Sequence, residues 1–111
     1  MTESIAMWAM VRDEAAGIDP WIRYHRALGI GPVLLFADRC TDDTIEKAQA
    51  FDDVFVTEIE RPPDEQVSAS QARLGSHALD QARSLGCEWL LGIDVDEFAW
   101  GGPVADIRQA T

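Results

Sequence analysis

The amino-acid sequence predicts an α/β fold, in which a mostly parallel sheet carries helices on both faces. Four short apolar segments alternate with three segments of helical periodicity, and the connections between them are short. This alternation is typical of parallel sheets with right-handed crossovers. Three of the four apolar segments also end abruptly in acidic residues. Because ligands of such sheets lie outside the carboxyl ends of the strands, we expect the functional groups at that edge.

Length, charge and cysteine content limit the class of protein. The 111 residues suffice for a single domain, residues 1–111, since domain sizes peak at about 100–150 residues. Nine basic against 20 acidic residues give a net charge of −11, which argues against a nucleic-acid or anionic-membrane partner. Cys40 and Cys87 form no CxxC pair, so we expect free thiols in a reducing compartment. We find neither a signal-peptide pattern nor a membrane-length apolar run, and expect a cytoplasmic protein without a transmembrane segment.

The first predicted strand is the continuously apolar segment Ile5–Val11, as expected for a strand buried on both faces. Arg12, Asp13 and Glu14 follow it directly. Such residues stand at the ligand edge of a parallel sheet, although a polar loop entering a helix would have the same composition.

A helix is predicted over residues 20–28, because apolar residues recur there at helical spacing. Asp19 suits the N-cap and Pro20 the first helical position, and Gly29 follows the predicted end. His25 falls on the apolar stripe, where a packed core histidine is expected rather than a metal ligand.

The second predicted strand is Val33–Ala37, followed at once by Asp38. The next helix is predicted over residues 44–51. Asp42 or Asp43 could cap it, which would explain either residue without any function. Capping does not explain Asp38, which lies at the strand end itself.

The third predicted strand, Val54–Ile59, is more alternating and richer in β-branched residues, which favours a place near a sheet edge. A long helix is predicted over residues 68–85, ended by Gly86. Its predicted apolar stripe consists of Gly75, Ala78, Leu79, Ala82 and Leu85.

The last strand begins at Trp89 and gives way to Asp94, Asp96 and Glu97. Its short apolar run predicts a strand buried on both faces. If the chain stays extended, Asp94 and Asp96 point to the same side. Two close carboxylates repel each other unless a hard divalent cation, Mg²⁺ or Mn²⁺, lies between them. The alternative is a strand that ends in a solvated acidic turn.

The order and spacing of these segments resemble family 2-type glycosyltransferases. The resemblance covers about residues 5 to 100, and is closest to a subgroup with K/R-N-E, E-W-x-x-Y-H-x-x-L-G, D-x-S/C-T-D-G-T and D-V-D-E-F motifs. The matching segments are R-D-E at 12–14, W-I-R-Y-H-R-A-L-G at 21–29, D-R-C-T-D-D-T at 38–44 and D-V-D-E-F at 94–98. The sequence departs from these motifs at Asp13, where Asn is usual, and at Asp43, where Gly is usual. The resemblance implies the Rossmann-like, nucleotide-binding half of a GT-A fold.

The resemblance also implies roles for individual residues. Asp94 and Asp96 correspond to the DxD pair: Asp96 would hold a divalent cation, Mn²⁺ or Mg²⁺, that bridges the diphosphate, and Asp94 would reach the ribose or the cation through water. Asp38 corresponds to the aspartate that hydrogen-bonds the base. Arg12 and Glu14 would lie near the nucleoside of a nucleotide-diphosphate sugar such as a UDP-sugar.

The expected function is therefore metal-dependent transfer of a sugar from a nucleotide-diphosphate donor to an unknown acceptor (a glycan, a lipid or a protein), and the resemblance favours inversion. Catalytic domains of this family are usually much longer, so we expect the donor half of a protein truncated at its C-terminus, and no residue is assigned as catalytic base. The alternatives are an inactive nucleotide-sugar binding module and a phosphotransferase or nucleotidyltransferase. The latter usually has a Gly-rich basic loop after the first strand, where this chain is acidic. Apolar surface left by the missing half would favour a homo-oligomer.

Overall fold

The computed structural model describes residues 4–99, which form a four-stranded parallel sheet with helices on both faces. The elements are β1 (Ile5–Val11), α1 (Ile18–Ala27), β2 (Val33–Asp38), α2 (Thr44–Gln49), β3 (Val54–Ile59), α3 (Val67–Ser84) and β4 (Trp89–Gly92). The strand order is β3-β2-β1-β4, and every pairing is parallel. This confirms the predicted Rossmann-like α/β fold.

One face of the sheet packs against α1 and α2. Alternate residues of β1 and β2, among them Met7 and Leu35, meet Trp21 and Ile22 of α1 in one buried cluster, to which Phe51 after α2 also belongs. Because successive residues of a strand point to opposite faces, the intervening residues belong to a second core. The two central strands are therefore apolar at every position except Asp38, the last residue of β2, as their sequences predicted.

The opposite face is covered by α3, which packs on β1 and β4. Its buried residues Ser70, Leu74, Ala78 and Ala82 recur every fourth position. Leu79 and Leu85 were predicted on this stripe, but they are 40% and 43% exposed. That part of the prediction is wrong, because only a narrow row of α3 faces the sheet.

The two outer strands differ from the two central ones. β3 was predicted near an edge, and it lies at one edge of the sheet. β4 was predicted to be buried on both faces, and this is wrong: it forms the other edge, Trp89, Leu90 and Leu91 are only half-buried, and Gly92 is exposed. Its apolar run is so short that the sequence does not distinguish a central strand from an edge strand. In the described part of the chain, no helix is long and apolar enough to cross a membrane.

The path of the chain reverses beside β1. From β1 through β2 to β3 the chain moves in one direction across the sheet, with α1 and α2 on one face; α3 then returns over the other face, and β4 pairs with β1. In open α/β sheets the crevice at such a reversal, outside the carboxyl ends of the strands, is the usual ligand site. Here that crevice lies between the end of β1 and the end of β4.

Candidate functional site

The chain turns sharply where β4 ends. Ile93 still donates its amide to the Trp8 carbonyl of β1, at 3.2 Å, but the amide of Glu97 donates to the carbonyl of Asp94 at 2.9 Å and closes a tight turn. Val95, 5% exposed, points into the core between the exposed residues Asp94 and Asp96. The chain is therefore not extended here, which was the condition for Asp94 and Asp96 to point to the same side.

The turn nevertheless brings carboxylates together. Asp94, Asp96 and Glu97 each offer an oxygen, and these oxygens all lie within 4.8 Å of one another. We call these three residues the turn carboxylates. A set of three negatively charged oxygen donors fits a hard divalent cation, and phosphate or water oxygens would have to complete its shell. Asp94 and Asp96 thus lie together, as the sequence predicted.

Glu97 was not among the predicted metal ligands. Its side-chain oxygen Oε1 accepts a hydrogen bond from the Asp94 amide at 3.0 Å, so the side chain curls back over the turn. A residue at the fourth position of a turn can return to the first in this way, whereas a residue three positions along an extended strand cannot. The only sequence signal for this role was the adjacency of Glu97 to Asp96.

Glu14, in the loop that follows β1, is exposed to the negative electrostatic field of the turn carboxylates. It is half-buried, and its pKa is raised, first by burial and then by the negative charges of Asp96, Asp94 and Asp42. Like charges raise the pKa of a carboxyl in this way only when they are close and poorly screened. Glu14 therefore lies within the electrostatic field of Asp94 and Asp96.

The loop after β1 is bonded to the loop after β2 through Asp13. This residue has a left-handed backbone, with φ at 52°. Its Oδ1 accepts hydrogen bonds from the Thr41 amide at 2.6 Å and from the Asp42 amide at 3.2 Å, and the Thr41 hydroxyl also donates to it. The Asp13 carboxylate is thus satisfied by hydrogen bonds from the loop that follows β2.

Asp42 and Thr44 complete the connection between the two loops. The Ala15 amide donates to Oδ2 of Asp42 at 3.2 Å, and the Glu14 amide donates to the hydroxyl of Thr44 at 2.9 Å. Asp42 also accepts from the amide of Thr44 at 3.0 Å and from its hydroxyl. Asp42 therefore orders the start of α2. This is a structural role of the kind that the sequence left open for it.

Asp38, the last residue of β2, is only 2% exposed. Arg39 donates to its Oδ1 from Nε at 2.9 Å, and the Arg61 amide donates to the same oxygen at 3.2 Å. Burial by itself would raise the pKa of Asp38, but these hydrogen bonds and the charges of Arg39 and Arg12 lower it below its usual value. A nucleoside base would have to share or displace the Arg39 contact. The predicted residues thus fall into an acidic group at β1 and β4 and an arginine-bearing group, Arg12 and Asp38, beside β2.

Comparison with known proteins does not identify the chain. No protein-family model matches it. No curated protein is significantly similar to it. Membership of a glycosyltransferase family therefore stays a prediction from the four motifs.

Proposed function

We propose that this chain is the donor-binding half of a metal-dependent glycosyltransferase that takes its sugar from a nucleoside diphosphate. The observation that carries the proposal is the convergence of Asp94, Asp96 and Glu97 at the reversal point of the sheet, with oxygens within 4.8 Å of one another. This is the edge at which such sheets bind nucleotides. The three other motifs of the resemblance, which lie outside the turn, add support.

In this proposal the turn carboxylates hold a Mn²⁺ or Mg²⁺ ion, and Asp94 and Asp96 are its main ligands. A cation bound there would act as a Lewis acid that stabilises the charge developing on the departing diphosphate. Glu14 lies beside the ribose and strengthens the negative field that attracts the cation. The carboxylates alone would repel a diphosphate, so nucleotide binding should depend on the metal.

Arg12 and Arg39 would supply positive charge on the other side of the nucleotide. Both guanidinium groups are near enough to Asp38 to lower its pKa. Both residues are exposed at the carboxyl end of the sheet. In a chain with a net charge of −11, such a local cationic surface is needed for an anionic ligand. Asp38 would then orient Arg39 and, through it, the nucleoside.

The second candidate is a nucleotide-sugar binding module that does not catalyse transfer. The observation that favours this binding module is that several carboxylates at this edge of the sheet already have structural roles. Asp13, Asp38 and Asp42 accept hydrogen bonds from the chain. The turn carboxylates are assigned to the cation, so none of the carboxylates assigned a role at this site is the general base that an attacking hydroxyl requires.

Calorimetry with UDP in the presence and absence of Mn²⁺ tests the proposal. The parent protein should bind UDP with Mn²⁺ and much more weakly without it. Asp96→Asn should weaken Mn²⁺-dependent binding by at least the roughly 10–100-fold that the loss of an outer-shell partner costs. The matched control is Asp80→Asn, which removes one negative charge from an exposed position on α3 and should leave binding unchanged.

Equal UDP binding by the parent and Asp96→Asn, with and without Mn²⁺, would show that the acids are only a solvated strand end. Where binding is found, release of UDP from bound UDP-sugars separates the two candidates. An active donor site should release UDP slowly by hydrolysis, with water as the acceptor, whereas a binding module should return the donor intact.

A further inference from the structure

The two residues after the turn carboxylates return to helix α1. The hydroxyl of Tyr24 donates to the carbonyl of Ala99, and the amide of Ala99 donates to Nε2 of His25 at 3.1 Å. Both backbone polar groups of one residue are therefore bonded to adjacent side chains of one helix. Neither contact belongs to the sheet or to the turn.

The hydrogen-bond partners of His25 define its protonation. Its ring is fully buried, and Nδ1 lies 2.8 Å from the carbonyl oxygen of Trp21. A carbonyl only accepts, so Nδ1 carries the proton and Nε2 presents the lone pair that receives the Ala99 amide. Burial lowers the pKa of His25, which favours this neutral form. His25 is thus the packed core histidine that the sequence predicted.

The rings of Tyr24, His25 and Phe98 pack together and support the contact of Ala99 with α1. Phe98 lies nearly parallel to the His25 ring, at 5.8 Å and 9°, and Tyr24 meets Phe98 edge-on at 5.1 Å. Phe98 remains 47% exposed, so burial alone holds it only weakly. The hydrogen bonds of Tyr24 and His25 to Ala99 therefore matter for keeping this segment on α1.

Helix α1 and its N-cap contact the turn on both of its sides. Before Asp96, Val95 approaches Gly17, the N-cap of α1: a Cβ added to Gly17 would lie 3.5 Å from Cγ1 of Val95. After Glu97, Phe98 and Ala99 are held by Tyr24 and His25. The segment that holds the turn carboxylates thus contacts α1 at two places, through Val95 near the N-cap and through Phe98 and Ala99 near His25.

We propose that Tyr24 and His25 are positioning residues that hold Phe98 and Ala99 against α1 and thereby keep the turn carboxylates converged on a single cation. The cation rests on the proposed function, whereas the order of the turn does not. Neither residue touches the cation. Their effect passes through the backbone from Ala99 to Glu97.

Backbone order parameters from NMR relaxation test the proposal without metal. The amides of residues 94–97 should approach the rigid value of about 0.85 in the parent and fall toward about 0.6 in Tyr24→Phe. This substitution removes only the hydroxyl of an exposed side chain, so the fold should persist. Unchanged order at residues 94–97 in both Tyr24→Phe and His25→Phe would overturn the proposal.

Mn²⁺ affinity provides the second measurement. His25→Phe keeps a ring but loses the acceptor for the Ala99 amide, and Mn²⁺ binding should weaken by about tenfold or more, as for other outer-shell partners. His25→Gln offers a side-chain acceptor and should recover part of that loss, which a purely structural role would not predict. His77→Gln on the exposed surface of α3 is the matched control.

The two measurements separate the two proposals. If the parent binds no Mn²⁺, the proposed function fails, and the order parameters still decide whether Tyr24 and His25 position the turn. If the parent binds Mn²⁺ and folded His25→Phe and Tyr24→Phe bind it equally well, the positioning role fails while the metal site stands. Should His25→Phe not fold, Tyr24→Phe alone decides in both assays.

Discussion

Two groups of carboxylates lie at the same edge of the sheet and differ in the hydrogen bonds that they accept from the chain. The carboxylates at the end of β2 and in the loops after β1 and β2 accept hydrogen bonds from backbone amides, a threonine hydroxyl and a guanidinium; they are Asp38, Asp13 and Asp42. Among the turn carboxylates, only Glu97 accepts a described hydrogen bond, from the Asp94 amide. All three turn carboxylates are exposed.

The difference separates carboxylates that stabilise the fold from carboxylates that are available to a ligand. Donors supplied by the chain lower the pKa of Asp38 and Asp42 and outweigh the opposing effect of burial. No such donors offset the charges around Glu14, and its pKa is raised. Negative charge that the chain leaves uncompensated is what an external cation would neutralise.

The largest effect on stability is expected at Thr44, which joins the two loops. Thr44→Val keeps the shape of this fully buried side chain but leaves the Glu14 amide without its acceptor and removes one of the donors to Asp42. The free energy of unfolding should fall by about 1–3 kcal/mol, the cost of an unsatisfied buried group. Urea denaturation measures it.

Two substitutions serve as controls for Thr44→Val. Thr57→Val, on the exposed side of β3, should change stability by less than about 0.5 kcal/mol, as is usual for surface positions. Asp96→Asn should also leave stability nearly unchanged while it removes cation binding. A large loss of stability in Asp96→Asn would place the turn carboxylates among the structural ones and remove the distinction.

The fold was largely predictable because the sheet is encoded locally. The strand β1 and the first five residues of β2 are apolar throughout, and helical periodicity lies between the two strands. The order of elements and the central place of these strands therefore follow from the pattern. The burial of β4 was predicted wrongly, because a strand of four residues has no periodicity that distinguishes a central strand from an edge strand. The row of α3 that faces the sheet depends on which strands it covers, and that is a tertiary property.

The site was only partly predictable, for a different reason. The sequence places Asp94 and Asp96 after β4, but it does not show that Val95 turns inward and bends the chain, which is what recruits Glu97. Nor does the sequence show that the Arg39 guanidinium donates a hydrogen bond to the Asp38 carboxylate, since this contact depends on the conformation of both residues. Acidic residues at strand ends are recognisable in sequence; whether the chain satisfies them is decided by the loops.

The pH dependence of stability should have opposite signs at Glu14, beside the turn carboxylates, and at Asp42. The pKa of Glu14 is raised above its ordinary 4.5, so its ionised form destabilises the fold, and this cost is fully present above the raised pKa and disappears as pH falls below 4.5. The pKa of Asp42 is lowered from 3.8, so its ionised form stabilises the fold, and that contribution is lost as pH falls through the lowered pKa. Glu14→Gln should therefore stabilise at pH 7 and Asp42→Asn should destabilise.

Urea denaturation between pH 3 and pH 7 measures both effects. A double-mutant cycle with Asp94→Asn/Asp96→Asn provides the control for Glu14. The gain from Glu14→Gln should shrink in that background, because two of the charges that raise the pKa are gone, but should not vanish, because burial is the larger cause. A gain that stays constant would show that Glu14 and the turn carboxylates do not interact.

The smallest effect is expected at Asp13, although it stands where the resembling family usually has Asn. An Asn side chain keeps the oxygen that accepts the Thr41 and Asp42 amides and tolerates the left-handed backbone at φ 52°. Asp13→Asn should therefore change the free energy of unfolding by no more than about 0.5 kcal/mol. Asp13→Gly would lose only the acceptor, and Asp13→Ala would lose the acceptor and also strain the backbone by about 1–2 kcal/mol. Denaturation should rank stability as Asn, then Gly, then Ala, because the position requires an oxygen and a left-handed residue rather than a charge. If Asp13→Asn instead destabilised as much as Asp13→Ala, the negative charge itself would be required, and Asp13 would belong with the carboxylates that face a cation.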